Sequence, residues 1–213
     1  MDFLDDKIDK YVTDHSSPES AMLFHLNRET HLKVMSPRML SGHLQGRVLS
    51  MLSHMIQPKL IVEIGTYTGY SAYCLAEGLT EKGKLITIDR NEELKPIIDK
   101  YLSTFEKKEQ IDVVFGNAME IIPSLPDEID IAFTDADKEN YSNYYDLLFD
   151  KIRPGGYLLA DNVLWSGKVV EEVASNDRST KAIMEFNNKV HEDARVENVL
   201  FPIRDGIMVM RKK

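Results

Sequence analysis

Apolar positions in the first forty residues recur at helical spacing. One candidate helix covers residues 2–14. A second starts at Ser17-Pro18-Glu19, where Ser17 can cap and Pro18 suits the first helical position. Ser36-Pro37 breaks the pattern, and a third helix follows at about 42–57. Within it Leu44, Val48, Met51, Leu52 and Met55 recur at spacings of three and four, so this stripe is predicted to face the core. From residue 60 the texture changes. Short apolar runs, Leu60–Ile64, Lys84–Ile88, Ile111–Phe115, Ile129–Thr134 and Tyr157–Ala160, alternate with helical stretches such as Ser71–Leu79 and Asn91–Phe105. That alternation predicts βα units and a parallel sheet with helices on both faces. After a loop come a helix at about 178–192 and the pair Val196–Ile203 and Gly206–Arg211, joined by Arg204-Asp205 as an antiparallel hairpin. The expected fold is α/β: a doubly wound, mostly parallel, seven-stranded sheet with an N-terminal helical cap and a C-terminal antiparallel hairpin. It is read as one domain over residues 1–213, with the cap in 1–57 and the α/β core in 58–213. Ligands of such sheets bind beyond the carboxyl ends of the strands.

Bulk properties narrow the function. A chain of 213 residues suffices for one hydrophobic core and is short for two domains. The formal net charge of −9 gives no general attraction to nucleic acid. Cys74 is the single cysteine and reads as a small buried apolar residue. No apolar run approaches the roughly 20 residues of a membrane span, and MDFLDDKIDK lacks a signal-peptide stretch. A cytoplasmic protein is expected.

The first strand leads into Glu63-Ile64-Gly65-Thr66-Tyr67-Thr68-Gly69-Tyr70-Ser71. Gly65 and Gly69 permit a tight turn and close approach of a ligand. Their G-x-x-x-G spacing departs from the G-x-G-x-x-G of dinucleotide sites, which disfavours a nicotinamide-dependent oxidoreductase. The second strand ends in Asp89. Its carboxylate either accepts hydrogen bonds from ribose hydroxyls or caps the next helix, and the glycine turn favours ribose. The third strand ends in Gly116-Asn117-Ala118, where an adenine ring can lie against small residues. Glu63, inside an apolar strand, needs partners. Either it accepts from a ligand's ammonium group or backbone N–H groups satisfy it.

The fourth strand ends in Asp135-Ala136-Asp137-Lys138 and the fifth in Asp161-Asn162. Parallel strands release both ends on one edge, so Asp135, Asp161 and Asn162 can converge. Two carboxylates and an amide oxygen are hard ligands suited to Mg²⁺, Mn²⁺ or Ca²⁺. No Cys/His cluster has zinc spacing.

The stretches VEIGTYTGYSA, FTDADKENYSNYYDLL, GGYLLADNVLWSGKV and FPIRDGIMVMRK resemble the cation-dependent O-methyltransferases, which include catechol and caffeoyl-CoA O-methyltransferases and small bacterial relatives. The resemblance runs from about residue 18 to the end. It implies that S-adenosylmethionine is the methyl donor and that Asp135, Asp161 and Asn162 hold a metal. Lys138 matches the catalytic base. Met39, Leu40, Ser41, Glu63, Gly65, Tyr67, Gly69, Ser71, Asp89, Arg90, Asn117, Ala118 and Asp135 fall at positions around the donor. Lys138, Asn162 and Trp165 fall near the substrate. The implied reaction is methylation of a catechol-like small molecule by a homodimeric enzyme. Lys138 would need its pKa lowered from the usual value of about 10.4.

Some positions depart from the family or stay open. His43 stands where relatives often carry an acid, and it reads as a solvated or a pH-sensitive residue. The polar stretch Ser166–Asp177 reads as a mobile loop that sets substrate choice. Tyr141, Tyr144 and Tyr145 can be read as helix packing. Two rival functions remain. One is methylation of hydroxylated uridine in tRNA, which the lack of a basic stripe disfavours. The other is a non-catalytic S-adenosylmethionine-binding module, which would need neither Lys138 nor the acidic trio.

Overall fold

The computed structural model describes residues 5–213. Helix α1 (Asp6–Asp14) realises the first expected helix; residues 2–4 of that expectation lie outside the described residues. Helix α2 (Ala21–Lys33) starts later than expected, because Ser20 rather than Ser17 caps it. Ser20 has an extended backbone (φ −64°, ψ 158°), and its hydroxyl accepts the Leu23 N–H at 3.2 Å, the geometry a cap requires. Ser17 instead offers its carbonyl to the His43 ring at 2.7 Å, so His43 is bound by protein and is not simply solvated.

Helix α3 (Gly42–Ile56) falls where expected but turns the other way. Met51 is 61% and Met55 75% exposed, and Leu44, Val48 and Leu52 are half-buried. The buried face is Gln45, Gly46, Leu49, Ser50 and Ser53. The neighbouring helix α4 (Tyr70–Ala76) explains the reversal. The Ser53 hydroxyl donates to the Leu75 carbonyl at 2.6 Å, and Arg47 makes a two-pronged ion pair with Glu77, both distances 2.9 Å. Small and hydrogen-bonding residues let two helices approach closely. The apolar period marks a face without saying which face turns inward.

The chain forms two compact units, one spanning Lys7–Asn117 and the other containing Ala118–Lys213. In the first, β1 (Leu60–Ile64), β2 (Lys84–Asp89) and β3 (Ile111–Phe115) pair in parallel, with Ile64 opposite Ile88 and Asp89 opposite Phe115. Helix α5 (Lys95–Leu102) lies between β2 and β3 in the chain. In the second unit α6 (Ala118–Ile121) precedes β4 (Ile129–Thr134), followed by α7 (Tyr141–Phe149), β5 (Ile152–Asp161) and α8 (Arg178–Glu192). Strands β6 (Val196–Phe201) and β7 (Ile207–Lys212) form the terminal antiparallel hairpin. Strand β5 runs parallel to β4, with Thr134 opposite Ala160, and antiparallel to β7, with Asp161 opposite Ile207.

The strand order is 3-2-1-4-5-7-6, the expected doubly wound sheet. Every residue of β4 is buried, as a parallel strand covered on both faces requires. Cys74 is a buried free thiol, as expected. Among the described residues no helix is long and apolar enough to cross a membrane.

Candidate active site

In the Lys7–Asn117 unit the predicted residues gather at the ends of β1, β2 and β3. Gly69 adopts φ 92° at the start of α4, and a Cβ there would lie 2.9 Å from the Tyr73 ring, so only glycine fits. Tyr67, at φ 49°, is the hub of this turn. Its N–H donates to Asp89 Oδ2 at 2.7 Å, and its phenol donates to the carbonyls of Met35 (3.1 Å) and Ser36 (3.3 Å). The segment that leads to Met39, Leu40 and Ser41 is thereby tied to the glycine turn. Met39 is 60% exposed, whereas Leu40, Ser41 and Ser71 are buried.

Asp89 Oδ1 accepts the Asn91 N–H at 2.8 Å, while Asn91, not Asp89, caps the helical turn that follows, its side chain accepting the Glu93 N–H at 3.1 Å. Each Asp89 oxygen still has a second lone pair for a ligand hydroxyl. Glu63 is fully buried, and its Oε2 accepts from the Thr87 hydroxyl at 2.5 Å, which in turn pairs with Thr66. Arg90 donates to Asn117 Oδ1 at 3.4 Å, beyond the ends of β2 and β3. Gly65 joins this edge by donating its N–H to the Ile88 carbonyl at 2.9 Å.

The Ala118–Lys213 unit, opened by the buried Ala118, carries the charged centre. Lys138 Nζ donates to Asp135 Oδ1 at 2.9 Å, Asn162 Oδ1 at 2.8 Å and the Tyr141 phenol at 2.5 Å. It also sits 5.8 Å from the Trp165 ring centroid. Burial opposes the charge on Lys138, but the neighbouring Asp135, Tyr141 and Asp161 outweigh it and hold the amine well above the ordinary lysine range. Lys138 is therefore an ammonium ion here, opposite in sign to the lowered pKa that a base needs.

Asp161 is buried, and its Oδ1 accepts the Asn162 N–H at 2.7 Å. Asn162 adopts φ 59°, a conformation asparagine tolerates better than most residues. Among the described residues no three His, Cys, Asp or Glu side chains are grouped to hold a metal, so any set here needs the amide of Asn162. The residues fit a hard cation on one direct observation: oxygens of Asp135 and Asn162, from two different strand ends, already converge on a single positive charge.

Sequence reasoning passed over Tyr141. Its hydroxyl is no mere packing group. It accepts from Lys138 and donates to the Asp161 carbonyl at 3.0 Å, linking the lysine to the end of β5. The available signal was its place three residues after Lys138, one helical turn away. Tyr144 likewise bonds Asp137, and Tyr145 bonds Asp193 at 2.9 Å.

A mixed sheet of this order, with a glycine turn after β1 and an acid at the end of β2, defines a Rossmann-like class I methyltransferase. The chain belongs to the O-methyltransferase family, whose model matches residues 13–213. It is similar to the caffeoyl-CoA O-methyltransferase of Mesembryanthemum crystallinum, 34% identical over 179 residues that cover 79% of this chain and 70% of that one. It is also similar to catechol O-methyltransferase domain-containing protein 1 of Mus musculus, 32% identical over 173 residues, 79% of this chain and 66% of the mouse protein. Among solved structures, the O-methyltransferase from Bacillus cereus in complex with SAH superposes with a TM-score of 0.83 at 26% identity and covers 97% of both chains.

Proposed function

We propose that this O-methyltransferase uses S-adenosylmethionine and a divalent cation to methylate a hydroxyl of a catechol-like small molecule. The observation that carries this reading is the convergence of Asp135 Oδ1 and Asn162 Oδ1 on one charged nitrogen, that of Lys138. Asp135, Asp161 and Asn162 would hold Mg²⁺, with Mn²⁺ or Ca²⁺ as substitutes. When bound, such a cation lowers the pKa of a coordinated hydroxyl and orients it. The donor supplies a methyl group on a sulfonium, so transfer forms one C–O bond as one C–S bond breaks.

The chain's own residues do the rest. Lys138 accepts the proton that leaves the acceptor hydroxyl. With a cation held by Asp135, Asp161 and Asn162, Lys138 would lose the carboxylate charge that favours its ammonium form and so could serve as the base. Asp89 binds ribose with its remaining lone pairs, Glu63 and Ser71 face the amino-acid part, and Arg90, Asn117 and Ala118 flank the adenine. Gly65, Tyr67 and Gly69 shape the turn, and Met39, Leu40 and Ser41 cover the donor. Trp165 lies against the acceptor ring. A homodimer and a cytoplasmic location belong to the same reading. The exposed apolar face of α3, with Met51 and Met55, is a surface that a second copy would cover.

The test is methyl transfer from labelled S-adenosylmethionine to 3,4-dihydroxybenzoate, with Mg²⁺ or with excess chelator, run beside hypomodified tRNA. Label in the phenol that depends on Mg²⁺ supports the proposal. Label in the RNA alone, or transfer to the phenol that ignores the chelator, overturns it.

A further inference from the structure

We propose that Asp205, in the turn of the terminal hairpin, is a positioning residue that fixes Trp165 and thereby sets how tightly the acceptor ring is held. This rests on the reading of Trp165 as an acceptor-side residue. The backbone around Trp165 is unusual: Trp165 (φ 47°), Ser166 (φ 55°) and Gly167 (φ 81°) are three successive left-handed residues, two of them not glycine. Such residues are individually unfavourable and persist only where surrounding structure imposes them.

The imposing structure is the 205–206 turn. The register of β5 against β7, with Asp161 opposite Ile207, brings the turn beside the chain that leaves β5. Val163 N–H donates to the Gly206 carbonyl at 3.2 Å, and Leu164 N–H to the Asp205 carbonyl at 2.9 Å. The Ser166 N–H donates to the Asp205 carboxylate. Gly206, at φ 87°, lies so close that a Cβ would meet the Leu164 side chain at 2.6 Å. The first two bonds need only backbone. The third depends on the Asp205 side chain and grips the residue directly after Trp165. Asp205 is bonded to Leu164 and Ser166, on either side of Trp165, so its influence runs through the Trp165 loop.

The experiment uses the fact that Trp165 is the only tryptophan, so selectively excited tryptophan fluorescence reports on this ring alone. In Asp205→Ala we expect a red-shifted Trp165 emission that acrylamide quenches more readily. We also expect an acceptor KM raised about tenfold, with the KM for S-adenosylmethionine unchanged. Asp205→Asn keeps an oxygen acceptor and should restore both readouts. Unchanged emission and unchanged acceptor KM in Asp205→Ala would overturn the proposal, as would a rise in both KM values together. A second measurement on the unmodified protein does not depend on a variant folding. Ser166 is exposed, so a slowly exchanging Ser166 amide requires the Asp205 bond, and fast exchange overturns it. If no catechol is methylated at all, the functional reading fails, while the fluorescence and exchange results still decide the positioning role.

Discussion

The two units engage the polar groups at their strand ends in different ways. In Lys7–Asn117 the carboxylates of Glu63 and Asp89 are engaged by neutral donors, a threonine hydroxyl and two backbone N–H groups. In Ala118–Lys213 the oxygens of Asp135 and Asn162 are engaged by an ammonium ion. Neutral donors already hold these acids in place, so on the proposed function this side would need no exchange of charge to receive its ligand. The ammonium is a competitor. Any cation that binds the same oxygens must displace it, and the proton affinity of Lys138 then changes with it. One region is built for shape and the other for exchange of charge.

The sharpest break in that comparison is Lys138→Ala. Turnover should fall by about 10²–10⁴-fold, the usual contribution of a general base. Divalent-cation affinity, followed by Mn²⁺ titration, should rise, because the competing ammonium is gone. Binding of S-adenosylhomocysteine should not move. Weaker cation binding in the variant would show that Lys138 supports the acidic oxygens and does not compete for them.

Asp89→Ala probes the preformed side. It strands the Tyr67 and Asn91 N–H groups as well as removing the proposed ribose acceptor. Hydrogen bonds to a charged group contribute about 1.5–3 kcal/mol, so the KM for S-adenosylmethionine should rise by about 10- to 100-fold with a smaller change in kcat. Equal losses in acceptor and donor KM would mean that the two regions are not separable. Tyr141→Phe has a smaller expected effect. It deletes one hydrogen bond to a charged group and leaves the ring, so kcat should drop about tenfold with the donor KM unchanged. An unaltered kcat would return Tyr141 to a packing role.

The parts of the site that were legible in the sequence are those fixed by strand ends. Asp89 closes or follows one apolar run and Asp135, Asp161 and Asn162 two others, and parallel pairing within each unit places such residues at the carboxyl ends of its strands. Tyr141 was missed because a phenol on an apolar helix has the same pattern whether its hydroxyl is used or not, and only its place three residues after Lys138 pointed to a role. Asp205 was illegible because its partner, Ser166, is 39 residues away and is reached only through the β5–β7 register. The same limit applied to local structure. Ser17 and Ser20 are equally good caps by residue type, and the buried face of α3 was decided by the Arg47–Glu77 ion pair with its neighbour. The charge state of Lys138 also lay beyond sequence, since it follows from three groups brought together in space.

The smallest expected effect concerns a carboxylate outside the site, held by charge within the same unit as Glu63 and Asp89. Glu29, on α2, accepts from Lys33 at 2.8 Å, from the Tyr101 phenol at 2.7 Å and from Lys100. Those bonds, that from Lys100 first, lower its pKa from 4.5 to about 2. A depressed carboxylate stabilises the fold fully above its unfolded pKa and loses that contribution as pH falls toward its folded one. The window is therefore between about 4.5 and about 2. The bonds lie near solvent, so screening limits the effect to about 1 kcal/mol or less. Urea unfolding of Glu29→Gln should show a small destabilisation at pH 7 that shrinks as pH drops through this window and as salt is added. A difference that stays constant down to pH 2.5 would mean that Glu29 acts through packing of α2 on α5, and that the charged contact contributes nothing to holding the donor-side unit together.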